Sequence, residues 1–224
     1  TELKFYEEWK QKRLNWHLVL GLGQENYKFH DHEKLAHYAN AAADIEFKFP
    51  FGFKELEGIH SRTDFDLSAH EKFSGRKLQY FDPERNENYV PYVVETSIGL
   101  DRMFLALFSN CLKDEVLEDG SERTVLSLPP ALAPVKAAIL PLVKKDGLPE
   151  FAEKIFNDLK YDFNVISEEK DSIGKRYRRQ DAIGTPFCIT VDHDSLTDNT
   201  VTLRERDTMK QERVKVEDLR RIID

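Results

Sequence analysis

Glu95, Ser97 and Arg102 fall within one short stretch, Glu95-Thr96-Ser97-Ile98-Gly99-Leu100-Asp101-Arg102. A carboxylate suits an ammonium group, and a planar guanidinium suits a phosphate or the face of a purine. On extended chain Glu95 and Ser97 share one face, because side chains alternate with a period of two. A carboxylate beside a hydroxyl is therefore one wall of a small polar pocket. The same residues also suit an ordinary strand-to-helix connection with a surface arginine. Asp101 is then only an acid in the first helical turn, where the helix dipole favours it.

The surrounding pattern decides how these residues are held. Tyr89-Val90-Pro91-Tyr92-Val93-Val94 is apolar and β-branched, and Met103 to Phe108 has helical periodicity. The motif thus reads as strand, sharp turn, helix, with Gly99 giving backbone freedom at the turn. Upstream, Phe5, Trp9, Trp16 and Leu20 fit an amphipathic helix over residues 3–20, ended by Gly21 and Gly23. Asp31 reads as the N-cap of a second helix carrying Leu35, Tyr38, Ala39 and Ala42. Ile45, Phe47 and Phe49 alternate with charged residues, and Glu55 to Ile59 supplies a hairpin partner. Leu78 to Phe81 is a further short strand. Strands joined by turns favour an antiparallel sheet.

Residues 113–124 are polar and acidic and read as a linker, which separates a domain over 1–112 from one over 125–224. Beyond it the texture is α/β. Strands are expected at Val135–Val143, Tyr161–Ile166 and Phe187–Val191, with helices at Leu148–Leu159 and Ser172–Ile183. A late hairpin (Val201–Arg206 with Gln211–Val216) and a closing helix complete a mixed, mostly parallel five-stranded sheet. The fold class is therefore α+β, then α/β.

The 224 residues carry 40% hydrophobic side chains, enough for real cores, and a formal charge of -8. An acidic balance disfavours non-specific nucleic-acid binding, so an RNA partner requires local basic patches. No apolar run is long enough for a membrane span and no signal peptide opens the chain. Cys111 and Cys188 are far apart and form no disulfide framework, which suits a reduced, cytoplasmic setting.

The stretch at 93–108 resembles motif 3 of the class II aminoacyl-tRNA synthetases. Phe49-Pro50-Phe51-Gly52-Phe53-Lys54-Glu55-Leu56-Glu57-Gly58-Ile59, then Arg62-Thr63-Asp64-Phe65-Asp66-Leu67 and His70, narrow the resemblance to the dimeric glycyl type. Leu132 to Leu142 resembles the opening of that family's anticodon-binding domain. The likeness implies a glycine–tRNA ligase that joins glycine to ATP and passes it to the 3′ end of glycine tRNA. It places Glu95, Thr96, Ser97, Ile98 and Gly99 at glycine. It places Glu55, Leu56, Gly99, Leu100, Asp101 and Arg102 at ATP, with Glu95 and Arg102 as the catalytic pair. Mg²⁺ bridging ATP phosphates would meet Glu55, whereas Glu57 is expected to face away from that site. Thr96 departs from the family's usual proline.

Motifs 1 and 2 and the elements that form the family's homodimer are not found in this sequence. The chain is therefore expected to be the C-terminal part of a longer polypeptide, inactive alone. The rival reading is a non-catalytic tRNA-binding or regulatory paralogue, which would have no need of Glu55, Glu95, Ser97 and Arg102.

Two other groups of residues invite function. His30, His32 and His37, and separately Asp64, Asp66 and His70, lack tight metal spacing and read as structural. Lys175, Arg176, Arg178 and Arg179 form a basic helical run, and Arg204, Arg206, Lys210 and Arg213 flank the late hairpin. Charge runs are usually solvated faces. In an anticodon-binding domain, Arg178, Arg179, Arg204 and Arg206 would instead meet tRNA.

Overall fold

A computed structural model describes residues 2–224. The chain divides into two compact units, one up to Ser109 and the other Asn110–Asp224.

The first unit opens with helix α1 (Glu2–Val19), followed by strands β1 (Tyr27–Asp31), β2 (Ala41–Phe49) and β3 (Gly52–Ser61). Helix α2 (Phe65–Ser74), a small hairpin of β4 (Tyr80–Asp82) and β5 (Glu87–Tyr89), strand β6 (Val94–Ile98) and helix α3 (Leu100–Cys111) follow, the last two residues of α3 falling in the second unit. The main sheet runs β1-β2-β3-β6 and is antiparallel throughout. One face is apolar: Ala43, Ile45, Phe47, Phe49 and Ile59 are buried there. Alternation explains this, since every second residue of β2 turns the same way.

Helix α1 docks unlike a simple amphipathic helix. Its inward residues are Tyr6, Lys10 and His17, while Phe5 and Trp16 are largely exposed. The spacing is still helical, but the contacts are ionic. Lys10 Nζ reaches Asp31 Oδ1 at 2.8 Å. Arg13 Nε and Nη2 grip both oxygens of Glu57 at 2.5 and 3.0 Å, and His17 Nε2 meets Glu57 Oε2 at 2.7 Å. Burial pushes the Glu57 carboxyl up, but the bonds from His17 and Arg13 outweigh it, so its pKa lies below the ordinary value.

Three local expectations give way to tertiary pairing. Asp31 ends β1 and caps no helix; Ala41 and Ala42 are drawn into β2 by pairing with Ser61 and His60. Helix α2 was not anticipated, although Asp64 at its start and Gly75 at φ 69° after its end are ordinary boundary signals. The strand before α3 begins only at Val94, beyond Pro91, and contains Glu95 through Ile98. Gly99 alone joins β6 to α3, and its φ is not left-handed, so the turn does not require a glycine.

The second unit begins with a hairpin of β7 (Leu112–Val116) and β8 (Glu122–Leu126). The acidic stretch 113–124 is therefore no linker. Arg123 fixes it by bonding Glu115 Oε2 at 2.7 Å and the Arg206 carbonyl at 2.8 Å. There follow β9 (Ala137–Pro141), α4 (Leu148–Leu159), β10 (Val165–Ser167), α5 (Ile173–Ile183) and β11 (Phe187–Val191). A short turn of helix α6 (Ser195–Asp198), β12 (Thr200–Glu205), β13 (Gln211–Lys215) and α7 (Leu219–Ile223) close the chain. The sheet order is β10-β9-β11-β12-β13, parallel across the first three strands and antiparallel through the last two pairings.

Strand β9 is buried on both faces. Ala137 and Ile139 pack toward Leu148, Ala152, Ile155 and Leu159 of α4, while Ala138 and Leu140 join Cys188, Ile173 and Tyr177. Each large aliphatic side chain removed from water contributes about 1.5–3 kcal/mol. The α5 side is partly polar: Asp181 is buried, accepting Arg204 at 2.8 and 2.9 Å and Arg123 at 3.2 Å. Both cysteines are buried, and burial pushes the Cys188 thiol up to about 12. Among the described residues no helix is long and apolar enough to cross a membrane.

Two stability outcomes follow from these ion clusters. Glu57→Gln leaves Arg13 and His17 against a neutral amide and should destabilise the fold by about 3–5 kcal/mol. Both tryptophans lie in α1, so urea unfolding followed by their fluorescence reads the change. A depressed carboxylate pKa stabilises above its unfolded value, about 4.3 for glutamate, and that gain is lost as pH falls through the folded value. The gap between parent and mutant should therefore narrow below about pH 4.

In the second unit, Asp181→Asn strands two buried arginines and should cost a similar ~3–5 kcal/mol, read from the urea midpoint by circular dichroism. A loss below about 1 kcal/mol would show that the carbonyl contacts of Arg123 and the stacking of Arg204 on Tyr177 suffice without the anion.

Candidate functional site

The face of the first sheet opposite α1 is polar. Cross-strand partners point the same way, so the register places Lys28, His30, Asp44, Glu46, Glu55, Gly58, His60, Glu95 and Ser97 together. Strict alternation would also put Glu57 on this face, two residues from Glu55. A bulge prevents that. Glu55 pairs with Glu46 and Glu57 with Ile45, leaving Leu56 as the extra residue. Glu57 consequently turns under α1 and Glu55 stays exposed on the open face.

At the end of this face lies a cleft of about 440 Å³, lined by Glu55, Leu56, Ser97, Gly99, Leu100, Asp101 and Arg102. It gathers every residue that the resemblance assigns to ATP, with Ser97 beside them. Arg102 Nη1 lies 2.6 Å from the Glu55 carbonyl and 3.3 Å from its carboxylate. A side chain at Gly99 would meet only Arg102 carbons at 3.8 Å, an ordinary contact. The glycine instead leaves its backbone open to the cleft.

Glu95 stands opposite His60 on the same face as Ser97. Thr96 and Ile98 stand opposite Ile59 and Glu57 and so turn to the other face; of these two glycine-site candidates, only the backbone borders the open side. Sequence reasoning missed the role of Arg62. Its Nη1 donates to Glu95 Oε2 at 2.7 Å, while Nε and Nη2 grip Asp66 at 2.5 and 3.1 Å. The guanidinium lies 4.1 Å from the centre of the Tyr38 ring. The Asp66 and Glu95 carboxylates raise the arginine's pKa, and Arg62 in turn lowers that of Asp66. Glu95 is thus oriented by a cation that is itself held on two sides. The short spacing of Arg62 and Asp66 signals their pairing only, since Arg62 precedes α2, and nothing local joins Arg62 to Glu95, 33 residues on.

His32 Nε2 bonds Asp44 Oδ2 at 2.9 Å, and its ring packs beside those of His30 and His60. Among the described residues no three His, Cys, Asp or Glu side chains converge as a metal site. His37 packs on Phe65, away from such a role.

Two proposed tRNA contacts are corrected by burial. Arg204 is buried on Asp181, and Arg206 is 2% exposed, donating to the carbonyls of Gly184 and Leu128. Arg176, from the basic run on α5, is spent on the carbonyls of Pro141, Leu142 and Glu168. Arg179 is committed to Glu168 and Asp171, and Arg178 reaches Ser121 at 3.3 Å. A basic run gives charge without direction, and most of these guanidiniums brace loops.

Known proteins match this architecture. Residues 136–224 match the family described as anticodon binding domain. A glycine–tRNA ligase of Chlorobaculum tepidum is 54% identical over 96% of this chain and 46% of its own length. One from Macrococcus caseolyticus is 53% identical over 100% of this chain and 48% of its own length. The chain thus spans about half the length of these curated relatives. In fold, it is similar to a crystal structure of the RNA binding domain of threonyl-tRNA synthetase from Cryptosporidium parvum, with a TM-score of 0.62 at 20% identity, over 84% of this chain and 43% of that one. An open carboxylate-and-arginine cleft in one unit and an anticodon-binding domain in the other therefore belong to a single homologue of the glycine–tRNA ligases, matched over nearly its whole sequence.

Proposed function

We propose that this chain supplies one wall of the amino-acid and ATP site, and the tRNA-reading domain, of a glycine–tRNA ligase. The observation that carries this is the convergence of Glu55, Ser97 and Gly99 to Arg102 on one cleft, with Glu95 on the same face. In the reaction, a glycine carboxylate oxygen attacks the α-phosphorus of ATP, pyrophosphate leaves, and glycine then passes to the tRNA 3′ end. Glu95, oriented by Arg62, receives the glycine ammonium. Arg102 swings from Glu55 to the nucleotide, stacking on adenine or meeting a phosphate. The chemistry is mainly positioning and charge stabilisation.

Glu55 fits a magnesium role only as a single carboxylate completed by phosphate oxygens, a pattern Mg²⁺ accepts. The rest of the site, including a second ATP-binding arginine, is assigned to polypeptide outside this sequence, in a homodimeric, cytoplasmic enzyme. Glycine-dependent ATP–pyrophosphate exchange tests the reading: the full-length polypeptide should catalyse it and this chain alone should not. In the full-length protein, Glu95→Gln keeps the shape and removes the charge. It should cost about 2–4 kcal/mol in kcat/KM for glycine, with the KM for ATP nearly unchanged. An unaltered response to glycine would remove Glu95 from the pocket.

For tRNA, we place the contact at the carboxyl-terminal edge of β9, β10 and β11. Loops at this edge carry exposed Lys144, Lys145 and Lys170, and Lys175 is exposed on the first turn of α5. Ligands commonly meet open α/β sheets at this edge. Arg176 ties two of these loops together through their carbonyls. Replacing the four lysines by alanine should weaken binding of a glycine tRNA transcript and lower the slope of log K against log salt by up to ~3, at somewhat under one per phosphate contact. Arg204→Lys should leave the slope unchanged, because that side chain faces inward. The opposite pattern would return the RNA surface to the late hairpin.

A further inference from the structure

Gly58 sits in the middle of the open face, buried between Asp44 on β2 and Ser97 on β6. Its φ is not left-handed, so the backbone does not demand a glycine. The reason is steric. A Cβ built there would lie 3.0 Å from His60 Cε1 and 3.6 Å from its Nδ1, with Asp44 Oδ1 at 3.7 Å. The imidazole of His60 therefore leans back along its own strand into the space that a side chain at 58 would occupy.

That imidazole is wedged. The His32 ring stands edge-on to it, at 6.1 Å and 89°, and His32 is itself tied to Asp44 at 2.9 Å. Its Nδ1 is buried with no hydrogen-bond partner among the described residues, so packing and not hydrogen bonding at that atom sets its position. On the other side of the strand pairing, His60 is the direct partner of Glu95. Side chains so paired are about 5 Å apart at Cβ. His60 is thus a rigid flank immediately beside the carboxylate expected to hold the substrate ammonium, with the Gly58 gap and Ser97 next to it.

We propose that His60 is a specificity-determining residue: folded over Gly58 and backed by the His32–Asp44 pair, it narrows the space beside Glu95 until only an amino acid without a side chain fits. The inference rests on the glycine pocket described above. Exclusion by volume suits this task, because an attractive contact cannot favour the smallest amino acid over one bearing an extra methyl. A methyl group's worth of fit changes kcat/KM by roughly 10–200-fold.

The test is amino-acid-dependent ATP–pyrophosphate exchange by the full-length polypeptide, with glycine and L-alanine as competing substrates. His60→Ala should raise the ratio of kcat/KM for alanine to that for glycine by about tenfold or more, within the range a methyl commands. The KM for ATP should stay within about twofold, since the ATP cleft does not contain His60. His60→Phe, which refills the volume without the ring nitrogens, should restore discrimination. If His60→Ala folds poorly, His60→Thr suits a strand, is smaller than imidazole, and should move the ratio the same way. An active parent whose ratio is unchanged in the folded His60 variants overturns this inference alone. A parent with no glycine-dependent exchange overturns the pocket itself, and the inference with it. A second readout needs no activity and uses this chain. Gly58→Ala should lower the thermal midpoint, and adding His60→Ala should recover most of the loss, because the imidazole is the nearest obstacle. Additive losses in the double variant would overturn the steric reading.

Discussion

The first unit depends on one buried carboxylate. Glu57 carries a full charge into the interface between α1 and the sheet, where removal from water costs several kcal/mol before any partner is counted. Arg13 and His17 offset that cost, and they do so only if α1 lies in one rotation and one register along the strands. Apolar packing alone tolerates small slips. A two-point grip on a carboxylate does not, which makes such a cluster a specifying device more than a stabilising one. The bulge at Leu56 is the other half of the arrangement. It lets two glutamates two residues apart serve opposite faces, one inside the fold and one at the cleft.

The same division of labour appears among the arginines. Where the structure needs loops held, guanidiniums are buried on carbonyls and on Asp181; on the open face, Arg62 sits partly buried and Arg102 half-exposed, both on carboxylates. Arg62 is intermediate. Its Asp66 grip and Tyr38 platform are structural, yet its remaining N–H direction is spent on Glu95. Orientation of a binding carboxylate by a fixed cation is how a site keeps its geometry before any substrate arrives.

Much of this was legible in the residues. The period-two run Ile45, Phe47, Phe49 and the helix over Leu148–Leu159 were read correctly; in each, burial follows the local periodicity. The grouping of Glu55 with Gly99 to Arg102 came from resemblance, and no local pattern brings strands 40 residues apart side by side. Three kinds of feature escaped. A bulge has no sequence signature of its own, so the opposite placement of Glu55 and Glu57 was right for a reason alternation cannot supply. Helix α1 was expected to bury Phe5 and Trp16 and instead buries Lys10 and His17, since ion pairing and not hydrophobicity chose its face. The exposure of Arg204 and Arg206 was misjudged because a count of charges does not reveal that Asp181 waits inside.

The two thiols carry a practical consequence. Cys111 and Cys188 are both buried, and burial holds each in the protonated, unreactive form. The folded chain is therefore silent toward maleimides and mild oxidants without any cysteine having to be removed. A single cysteine introduced on an exposed loop becomes the one addressable position, and a fluorophore or spin label placed there reports motion against a clean background. Conversely, any labelling of the native thiols signals that a core has opened, so the rate of thiol trapping is a built-in clock for local unfolding of the second unit.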